Sequence, residues 1–360
     1  MSHHNEHDNE IEMVSTKYIC TANHGFAPYA QEELRRSFGS VKSTILIPGE
    51  VFLATLLHSD EYVAEKLEAS PPMFLRHMFE ISWEWSINSS ENPGESLDLD
   101  WKNHLVRFLL NHSILHGTKV SIQTRKTEHS IWKGSAAELK DEIQNELDSL
   151  DAEFVVRGAD WIISIMATKD SIFVGLTSPE RNLSDWNGGA IRFQREEGQI
   201  SRAKFKLLEA EQVFGIDFSS FHEAIDIGAA PGGWTSFLLE RGLKVTAVDP
   251  AKLHPSLLGS PKLTYLQKNA DSVKFRENQF DLLVCDTSWS PKLTARLVSD
   301  LLYSLVPGGT AVVTVKLLSK KPMALIQDVI YTFQESRMQI QKAKQLFHNR
   351  DEITLYMIKY

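Results

Sequence analysis

Short apolar runs alternate with stretches of helical spacing over the first hundred positions. Residues 18–22, 44–47 and 51–56 have the length and apolar content of strands, and Pro48 with Gly49 marks a turn between the last two. In residues 29–38 and 61–69, apolar side chains recur every three or four positions, as in amphipathic helices. This pattern predicts an α+β unit.

A polar segment separates this unit from a second one. Residues 88–100 contain serine, proline and glycine with few apolar side chains, and we interpret them as a linker or long loop. Helical spacing covers residues 101–115 and 136–150, and residues 119–124, 161–168 and 171–175 are strand-like. Residues 181–198 are predicted to connect this second α+β unit to the rest of the chain.

The last part of the chain changes to a regular alternation of strands and helices. Strand-like runs occur at residues 224–227, 244–248, 263–266, 282–285 and 310–315, with helical stretches between most of them. Such alternation predicts an α/β fold whose parallel sheet has helices on both faces. Residues 339–344 and 353–358 are strand-like but separated by a short loop, which predicts a final antiparallel pair.

These changes in pattern predict four segments. Residues 1–12 are polar and are expected to form a disordered tail. The three predicted domains that follow cover residues 13–100, 101–195 and 196–360.

Composition narrows the class of protein. The chain has 360 residues, 42% of them hydrophobic, and no stretch approaches the roughly 18 apolar residues that a membrane span requires. The polar start lacks the pattern of a secretory signal, so we expect a cytoplasmic protein with no membrane partner. Cys20 and Cys285 are the only cysteines, and their wide separation fits neither a disulfide framework nor a thiolate metal site. No metal is expected.

The formal net charge of −9 is unevenly distributed. Residues 1–195 carry 18 basic and 29 acidic side chains, a balance of −11, whereas residues 196–360 carry 20 and 18, a balance of +2. Binding to phosphates depends on where cations cluster, so the net acidity does not exclude a nucleic-acid partner.

A glycine-rich turn follows the first strand of the α/β part. It reads Asp-Ile-Gly-Ala-Ala-Pro-Gly-Gly-Trp from Asp226 to Trp234, and glycine lets a ligand approach the backbone at a helix start. Asp249 ends the next strand, where a carboxylate can accept hydrogen bonds from a ribose, and Asp271 follows the third strand, where it could meet an adenine amino group. The turn and Asp249 together predict an adenosine-containing cofactor. The glycine spacing is neither GxGxxG nor that of a P-loop, which disfavours a dinucleotide or a nucleoside triphosphate. The candidate cofactor-binding residues in the turn are Gly228, Ala230, Pro231, Gly232, Gly233 and Trp234.

Two ionisable residues end neighbouring strands of the same predicted sheet. Asp286 follows the run at 282–285, and Lys316 closes the run at 310–315. Open α/β sheets bind ligands at the carboxyl ends of their strands, so both side chains are predicted to be functional. Trp289, three residues beyond Asp286, could stack on a flipped base or cover a loop.

The turn at 226–234 resembles motif I of the FtsJ-related 2′-O-ribose methyltransferases, which use S-adenosylmethionine. Ser-Arg-Ala-Lys-Phe-Lys-Leu at 201–207 is similar to the segment with that class's first catalytic lysine, and Cys-Asp at 285–286, Val-Lys-Leu at 315–317 and Leu-Phe-His-Asn-Arg-Asp-Glu-Ile-Thr at 346–354 follow in order. The chain most resembles the RlmM family, which methylates a cytidine ribose of 23S rRNA. The front part resembles a ferredoxin-like domain followed by a THUMP-like RNA-binding domain.

This resemblance implies a catalytic Lys-Asp-Lys-Glu tetrad formed by Lys206, Asp286, Lys316 and Glu352, with Asp286 also contacting the cofactor. A ribose hydroxyl is a weak acid, so methyl transfer needs a base, and a lysine can act as one only if its pKa is lowered. Two adjacent lysines in a partly buried cleft lower each other's pKa, while carboxylates oppose this effect. Our hypothesis assigns the base to Lys316. In the family, a cysteine often replaces Ala230 and a serine replaces Ala203.

RNA is the expected partner, either 23S rRNA or its precursor particle, and the target nucleotide and oligomeric state stay open. Two basic sets are candidates for RNA contacts. The first comprises Arg125, Lys126 and Lys133 with Trp132, and the second comprises Arg181, Arg192, Arg195, Arg202 and Lys204.

Two other functions remain alternatives. One is a tRNA or rRNA base N-methyltransferase, although such enzymes usually carry Asn/Asp-Pro-Pro-aromatic where this chain has Asp-Thr-Ser-Trp at 286–289. The other is a catalytically silent RNA-binding assembly factor that retains the fold.

Overall fold

The computed structural model describes residues 14–87, 97–317 and 321–360. The predicted disordered tail and most of the predicted linker lie outside these ranges. Contacts between residues divide the chain into two compact units, residues 1–190 and 191–360. This division falls five residues before the predicted boundary at 195/196, whereas the boundary at 100/101 stays a prediction.

The first sheet is antiparallel and has the strand order β2-β3-β1-β4. Its elements follow one another as β1 (Thr16–Ala22), α1 (Ala27–Phe38), β2 (Val41–Ile47), β3 (Val51–Leu56), α2 (Asp60–Ala69) and β4 (Leu75–Glu80). A βαββαβ chain with this strand order is the ferredoxin-like topology, which the sequence predicts for this region. Helix α2 begins where the Ser59 hydroxyl accepts a hydrogen bond from the Tyr62 amide.

The second sheet has the strand order β5-β9-β8-β6-β7. Its elements are β5 (Trp83–Ser86), α3 (Leu97–Leu110), β6 (Lys119–Lys126), α4 (Ala136–Glu146), β7 (Glu153–Phe154), β8 (Trp161–Ala167) and β9 (Ser171–Thr177). Helix α3 ends at Leu110 because a 3₁₀ turn, Ser113–Leu115, replaces its predicted last turn. Strand β5 precedes the predicted linker yet pairs with β9, so this sheet includes residues from the predicted first domain. The THUMP-like identity of this region stays a prediction.

The first predicted basic set is engaged within the protein. Arg125 donates hydrogen bonds to Thr21 and Glu50, at 2.6 and 3.1 Å. The ammonium group of Lys126 donates to the carbonyls of Trp132 and Gly134, and that of Lys133 donates to Ser130. These contacts give the three cations partners within the protein, and the charge of Arg125 is balanced by Glu50, whereas the two lysines contact neutral carbonyl groups.

The unit at residues 191–360 is built on a seven-stranded sheet with the order β12-β11-β10-β13-β14-β16-β15. Its elements are α5 (Lys204–Phe214), β10 (Glu223–Ile227), α6 (Gly233–Glu240), β11 (Lys244–Val248), β12 (Leu263–Leu266), β13 (Phe280–Cys285), α7 (Pro291–Leu301), β14 (Leu305–Lys316), α8 (Pro322–Glu335), β15 (Met338–Lys344) and β16 (Glu352–Lys359).

The pairing of these strands confirms the predicted Rossmann-like α/β fold. Strands β10 to β14 pair in parallel, and β16 pairs antiparallel to both β14 and β15. The chain order reverses at β10, so the carboxyl ends of β10, β11 and β13 lie together at the point where such sheets bind ligands. Strand β16 starts opposite the end of β14, with Glu352 in register with Lys316.

Burial of large side chains holds the helices against this sheet. Phe218 and Phe237 are fully buried, and their rings meet edge-to-face with centroids 5.2 Å apart. Trp234 belongs to the same core cluster. In the part of the chain that the structure describes, no helix is long and apolar enough to cross a membrane.

Candidate active site

The turn between β10 and α6 requires glycine at two positions. Gly228 has φ +76°, and a Cβ there would lie 2.7 Å from Thr287 Cγ2 and 3.2 Å from the Asp286 carbonyl oxygen. Gly232 has φ +115°, and a Cβ there would lie 2.3 Å from Leu257 Cδ1. Both glycines therefore allow the turn to pack tightly against neighbouring loops in a left-handed backbone conformation.

A cavity of about 370 Å³ opens at the carboxyl ends of β10, β11 and β13. Among the predicted cofactor residues, it is lined by Gly228, Ala230, Asp249 and Asp286. Its size falls within the range of small-molecule sites, and its lining combines apolar side chains with a few polar groups, as such sites do.

Other predicted cofactor residues lie outside this lining. Pro231, Gly232 and Gly233 form the turn itself, whereas Trp234 is only 3% exposed and donates from Nε1 to the Ala203 carbonyl at 2.8 Å. Trp234 therefore joins α6 to the start of α5. Asp271 is exposed, and its neighbours Asn269 and Ala270 line the cavity instead.

Two residues of the cavity wall are not among the predicted cofactor residues, although the sequence singles out one of them, Trp289, as a possible stacking partner of a base. Asn269 and Trp289 both line the cavity, Trp289 with 38% of its surface exposed. Trp289 therefore lines the same cavity as Asp249. Asn269 lies in the loop after β12, one of the places where an α/β sheet supplies ligand contacts, and that loop position was the signal available.

Asp249 is held in position by backbone hydrogen bonds. Its Oδ2 accepts from the Ala230 amide at 3.0 Å, and its Oδ1 accepts from the Ala251 amide at 2.7 Å. Each carboxylate oxygen has a second lone pair, so Asp249 can still accept hydrogen bonds from a ligand diol in the cavity.

Asp226, the next-to-last residue of β10, is almost fully buried. Burial raises the pKa of this carboxyl to about 7, although the Thr235 hydroxyl donates to Oδ2 at 2.6 Å and opposes the rise. The folded protein therefore binds a proton at Asp226 more tightly than the unfolded chain, whose aspartates titrate near pH ~3.9. The stability that this proton contributes is fully present at low pH and is lost as the pH rises towards about 7.

Asp226→Asn should remove this pH-dependent loss. We expect the thermal midpoint of the variant to rise relative to wild type between about pH 4 and pH 7, and the difference to level off above that. The full change corresponds to a free energy on the order of 4 kcal/mol. Calorimetry of both proteins across this range checks it, and superimposable pH profiles would show that Asp226 does not titrate there.

The four predicted tetrad residues converge. Lys206 Nζ lies 3.0 Å from both carboxylate oxygens of Asp286 and 3.0 Å from Glu352 Oε1. Lys316 Nζ donates to the same Glu352 oxygen at 2.7 Å. The two lysines therefore share one carboxylate, and Asp286 connects this cluster to the cavity that it lines.

Each residue of the cluster comes from a different element. Lys206 lies in the first turn of α5, Asp286 follows β13, Lys316 ends β14 and Glu352 begins β16. Because β13 and β14 are parallel neighbours and β16 runs back from the same edge, their side chains meet where the three strands end or begin.

Two further groups orient the carboxylates. The Thr314 hydroxyl donates to Asp286 Oδ1. The Arg350 amide donates to Glu352 Oε2 at 2.7 Å. Sequence reasoning missed Thr314 because it occupies a buried position within the apolar run of β14.

Burial and charge act on Lys206 in opposite directions. Its side chain is 13% exposed, and burial disfavours the ammonium, but the carboxylates of Asp286 and Glu352 outweigh burial and raise the pKa of Lys206. The side chain of Glu352 is 5% exposed; burial opposes its ionisation, but Lys206 and Lys316 lower its pKa. The expectation that paired lysines lower each other's pKa is therefore wrong for Lys206, because each lysine contacts a carboxylate.

Neither cysteine contributes a nucleophile. Cys20 and Cys285 are fully buried, and burial raises the pKa of both thiols. Within residues 14–87, 97–317 and 321–360, no group of three His, Cys, Asp or Glu side chains is arranged to hold a metal ion.

Comparison with known proteins finds similarity to methyltransferases over part of the chain. Residues 199–349 match the model of the FtsJ-like methyltransferases. "Ribosomal RNA large subunit methyltransferase M" of Laribacter hongkongensis is 33% identical over 205 residues, which cover 53% of this chain and 57% of that protein. The protein of the same name from Idiomarina loihiensis is 27% identical over 314 residues, 82% of each chain. In three relatives of this name, the matched segment spans only 50–57% of the relative's own length.

Two solved structures align with this chain at low TM-scores. TrmN from Thermus thermophilus is 13% identical with a TM-score of 0.41, and the alignment covers 96% of this chain and all of that one. Aeropyrum pernix fibrillarin, solved with S-adenosyl-L-methionine, is 14% identical with a TM-score of 0.36, covering 54% of this chain and 81% of that one. Neither similarity bears on the activity of this chain.

Proposed function

We propose that this protein, whose residues 199–349 match the model of the FtsJ-like methyltransferases, is an S-adenosylmethionine-dependent RNA 2′-O-ribose methyltransferase. The observation that carries the proposal is the contact of two lysines with one shared carboxylate, beside a cavity that Asp286 also lines. A cytidine of 23S rRNA, free or in a precursor particle, is the proposed substrate, because the matched relatives are named for the large ribosomal subunit. We accordingly place the reaction in the cytoplasm.

The cavity wall fits S-adenosylmethionine, which would supply a methyl group bound to a positively charged sulfur. Asp249 offers acceptors for the ribose diol, and Asn269 offers an amide for hydrogen bonds to a base edge. Trp289 and Leu297 provide apolar surface for an adenine ring. Asp286 lines the same cavity and contacts Lys206, so its carboxylate would lie between the cofactor and the substrate hydroxyl.

The contacts support different roles for the two lysines. Lys206 is held as an ammonium by two carboxylates, so it can donate a hydrogen bond to the ribose and orient it but cannot take up a proton. Lys316 contacts Glu352 alone among the described carboxylates. We therefore assign the base to Lys316, whose Nζ would accept the 2′-hydroxyl proton as that oxygen bonds to the methyl carbon and the bond from the methyl carbon to sulfur breaks, leaving the demethylated cofactor.

Glu352 would keep both lysines in position during this step. Its Oε1 accepts from both ammonium groups, and its Oε2 accepts from the Arg350 amide. The backbone contact fixes the carboxylate, so Lys316 can release and regain a proton without losing its position.

The first test of the cofactor site is Asp249→Ala. We expect the KM for S-adenosylmethionine to rise roughly 10- to 100-fold, because hydrogen bonds to a charged acceptor contribute about 1.5–3 kcal/mol. Asp271→Ala is the control, since Asp271 is exposed and outside the cavity lining, and it should leave this KM within about two-fold of wild type. A larger effect at Asp271 than at Asp249 would reverse the assignment.

Transfer of tritiated methyl groups tests the function itself. RNA from cells that lack the protein should accept label from S-adenosylmethionine, and wild-type RNA should accept little. No incorporation into any RNA by protein that binds the cofactor would favour a silent assembly factor. Label on a base would favour a base N-methyltransferase.

A further inference from the structure

A cluster of aromatic rings lies beside the tetrad in the unit at residues 191–360. The ring of His348 is 5.4 Å from that of Phe193, centroid to centroid, with an interplanar angle of 26°, so the two are stacked. Phe205 lies 5.6 Å from Phe193 and 5.2 Å from His348, and Phe347 meets His348 edge-on at 5.1 Å.

This cluster is distinct from the core under the sheet. None of its four rings belongs to the core group that contains Trp234 and Phe237. Phe193, Phe347 and His348 are all partly exposed. Aromatic rings that stack outside a core and retain exposed surface have the properties of a base-stacking platform.

Unpaired arginines adjoin the cluster in the chain. Arg192 precedes Phe193, and Arg350 lies two residues after His348. Both are exposed, and within the described ranges neither side chain makes a hydrogen bond or ion pair. By contrast, two other cations of the second predicted basic set are engaged, Arg181 with Asp60 and Lys204 with Glu196 and Glu240.

The cluster is tied to the tetrad through the backbone. Phe205 directly precedes Lys206 in α5, and the amides of Phe347 and His348 both donate to Glu209 of the same helix, at 2.7 and 2.9 Å. The Arg350 amide donates to Glu352. The platform and the proposed ribose site are therefore parts of one fixed local structure.

We infer that Phe193 and His348, with Arg192 and Arg350 beside them, form a subsite that receives an unpaired nucleotide of single-stranded RNA. The base stacks on the exposed surface of Phe193, and the arginines contact the adjoining phosphates, which holds the ribose at Lys206 and Glu352. This inference rests on the proposed function for the identity of the ligand, and it adds that the substrate segment must be unpaired, since a base in a duplex cannot reach an aromatic platform.

The electrostatics suit this use. Burial lowers the pKa of His348 to about 4, so the ring is neutral at physiological pH, even though a hydrogen bond with the Ile191 backbone favours the charged form. Of the charged residues nearby, Glu209 accepts a hydrogen bond from the His348 amide, and Arg350 lies two residues further along the chain. The platform is thus an uncharged surface, and the arginines are the groups that attract phosphate.

Phe193→Leu tests the subsite, because leucine keeps the apolar bulk but removes the stacking face. We expect the KM for RNA to rise roughly 5- to 100-fold, since base–aromatic stacking is worth about 1–3 kcal/mol per base. The KM for S-adenosylmethionine and the thermal midpoint should stay near wild type, and Phe193→Tyr should restore the RNA KM. Tyr331→Leu is the matched control, an exposed aromatic on α8.

A binding measurement separates this inference from the proposed function. Fluorescence anisotropy with a short labelled single-stranded oligoribonucleotide and its duplex should show preference for the single strand, reduced in Phe193→Leu and in Arg192→Gln/Arg350→Gln. Arg192 and Arg350 are exposed, so the arginine variant should fold and can be measured even if Phe193→Leu fails to fold. Arg276→Gln, at another exposed arginine, is the control for this variant. Unchanged affinity in both variants overturns the subsite even if methylation is confirmed. Preference that is lost in the variants supports the subsite even if no RNA is methylated.

Discussion

Lys316→Met should reduce kcat for methyl transfer by roughly 10²- to 10⁴-fold, the contribution typical of a general base. Methionine preserves the unbranched side chain but cannot accept the 2′-hydroxyl proton. Lys316 is 25% exposed and bonds to Glu352, which retains Lys206 as a partner, so the fold should tolerate the change. The affinity for S-adenosylmethionine, measured by calorimetry, should stay near wild type.

Lys316→Arg separates a base from a simple positive charge. Arginine keeps the cation near Glu352 but does not lose its proton in proteins. We therefore expect Lys316→Arg to be as impaired in kcat as Lys316→Met. If the arginine variant retained most of the activity, Lys316 would act by charge and another group would have to take the proton.

Glu352→Gln should have the second largest effect, a fall in kcat of about 10²-fold. The substitution removes the negative charge that both lysine ammonium groups contact, at 3.0 and 2.7 Å. Removing one partner of a buried ion pair also leaves an unpaired charge; because Lys206 keeps Asp286 as a partner, we expect a loss of stability of about 3 kcal/mol, at the low end of the usual cost. The measurements are single-turnover methyl transfer and thermal unfolding of the same preparation.

Glu211→Gln is the matched control for this second prediction. Glu211 lies in α5, the helix that carries Lys206, and forms an ion pair with Arg241 through two hydrogen bonds of 2.6 and 2.8 Å. These bonds do not involve the tetrad. Its loss should lower stability while leaving kcat near wild type. If Glu211→Gln impaired kcat as strongly as Glu352→Gln, the effect at Glu352 would reflect general destabilisation and not a place in the active site.

The site illustrates what a sequence can and cannot provide. The strand-end positions of Asp286 and Lys316 follow from apolar runs alone, and the cofactor turn follows from its glycines. The contact between Lys206 and Glu352 joins residues 146 positions apart, so no local pattern contains it. Only the family resemblance brought those two residues into the predicted tetrad, and the structure supplies the geometry.

The errors in the sequence predictions share a physical origin. Strand β4 was not predicted because Arg76 and His77 interrupt its apolar pattern, yet both are buried, at 7% and 3% exposed. Arg125 was predicted to face RNA, but it points to Thr21 and Glu50 of the first sheet. Arg76 donates to the Gly188 carbonyl, so Arg76 and Arg125 each have a partner far away in the chain, which spacing within one segment cannot indicate.

Trp234 shows a related limit. The glycine turn predicted a cofactor contact there, but the indole is directed into the core, because its Nε1 bonds to the Ala203 carbonyl. A residue in the first turn of a helix can face either the ligand or the sheet, and the motif alone does not distinguish the two. Asp249 and Asp271 diverge similarly, since only Asp249 lines the cavity.

The identity of the methylated nucleoside tests the central claim most directly. RNA from cells lacking the protein would be labelled with tritiated S-adenosylmethionine by wild type and by Lys316→Met, digested to nucleosides and separated by chromatography. We predict that the wild-type label co-migrates with a 2′-O-methylated nucleoside, 2′-O-methylcytidine for the proposed substrate, and that Lys316→Met yields almost none. Label on a base, or undiminished ribose methylation by Lys316→Met, would contradict the account.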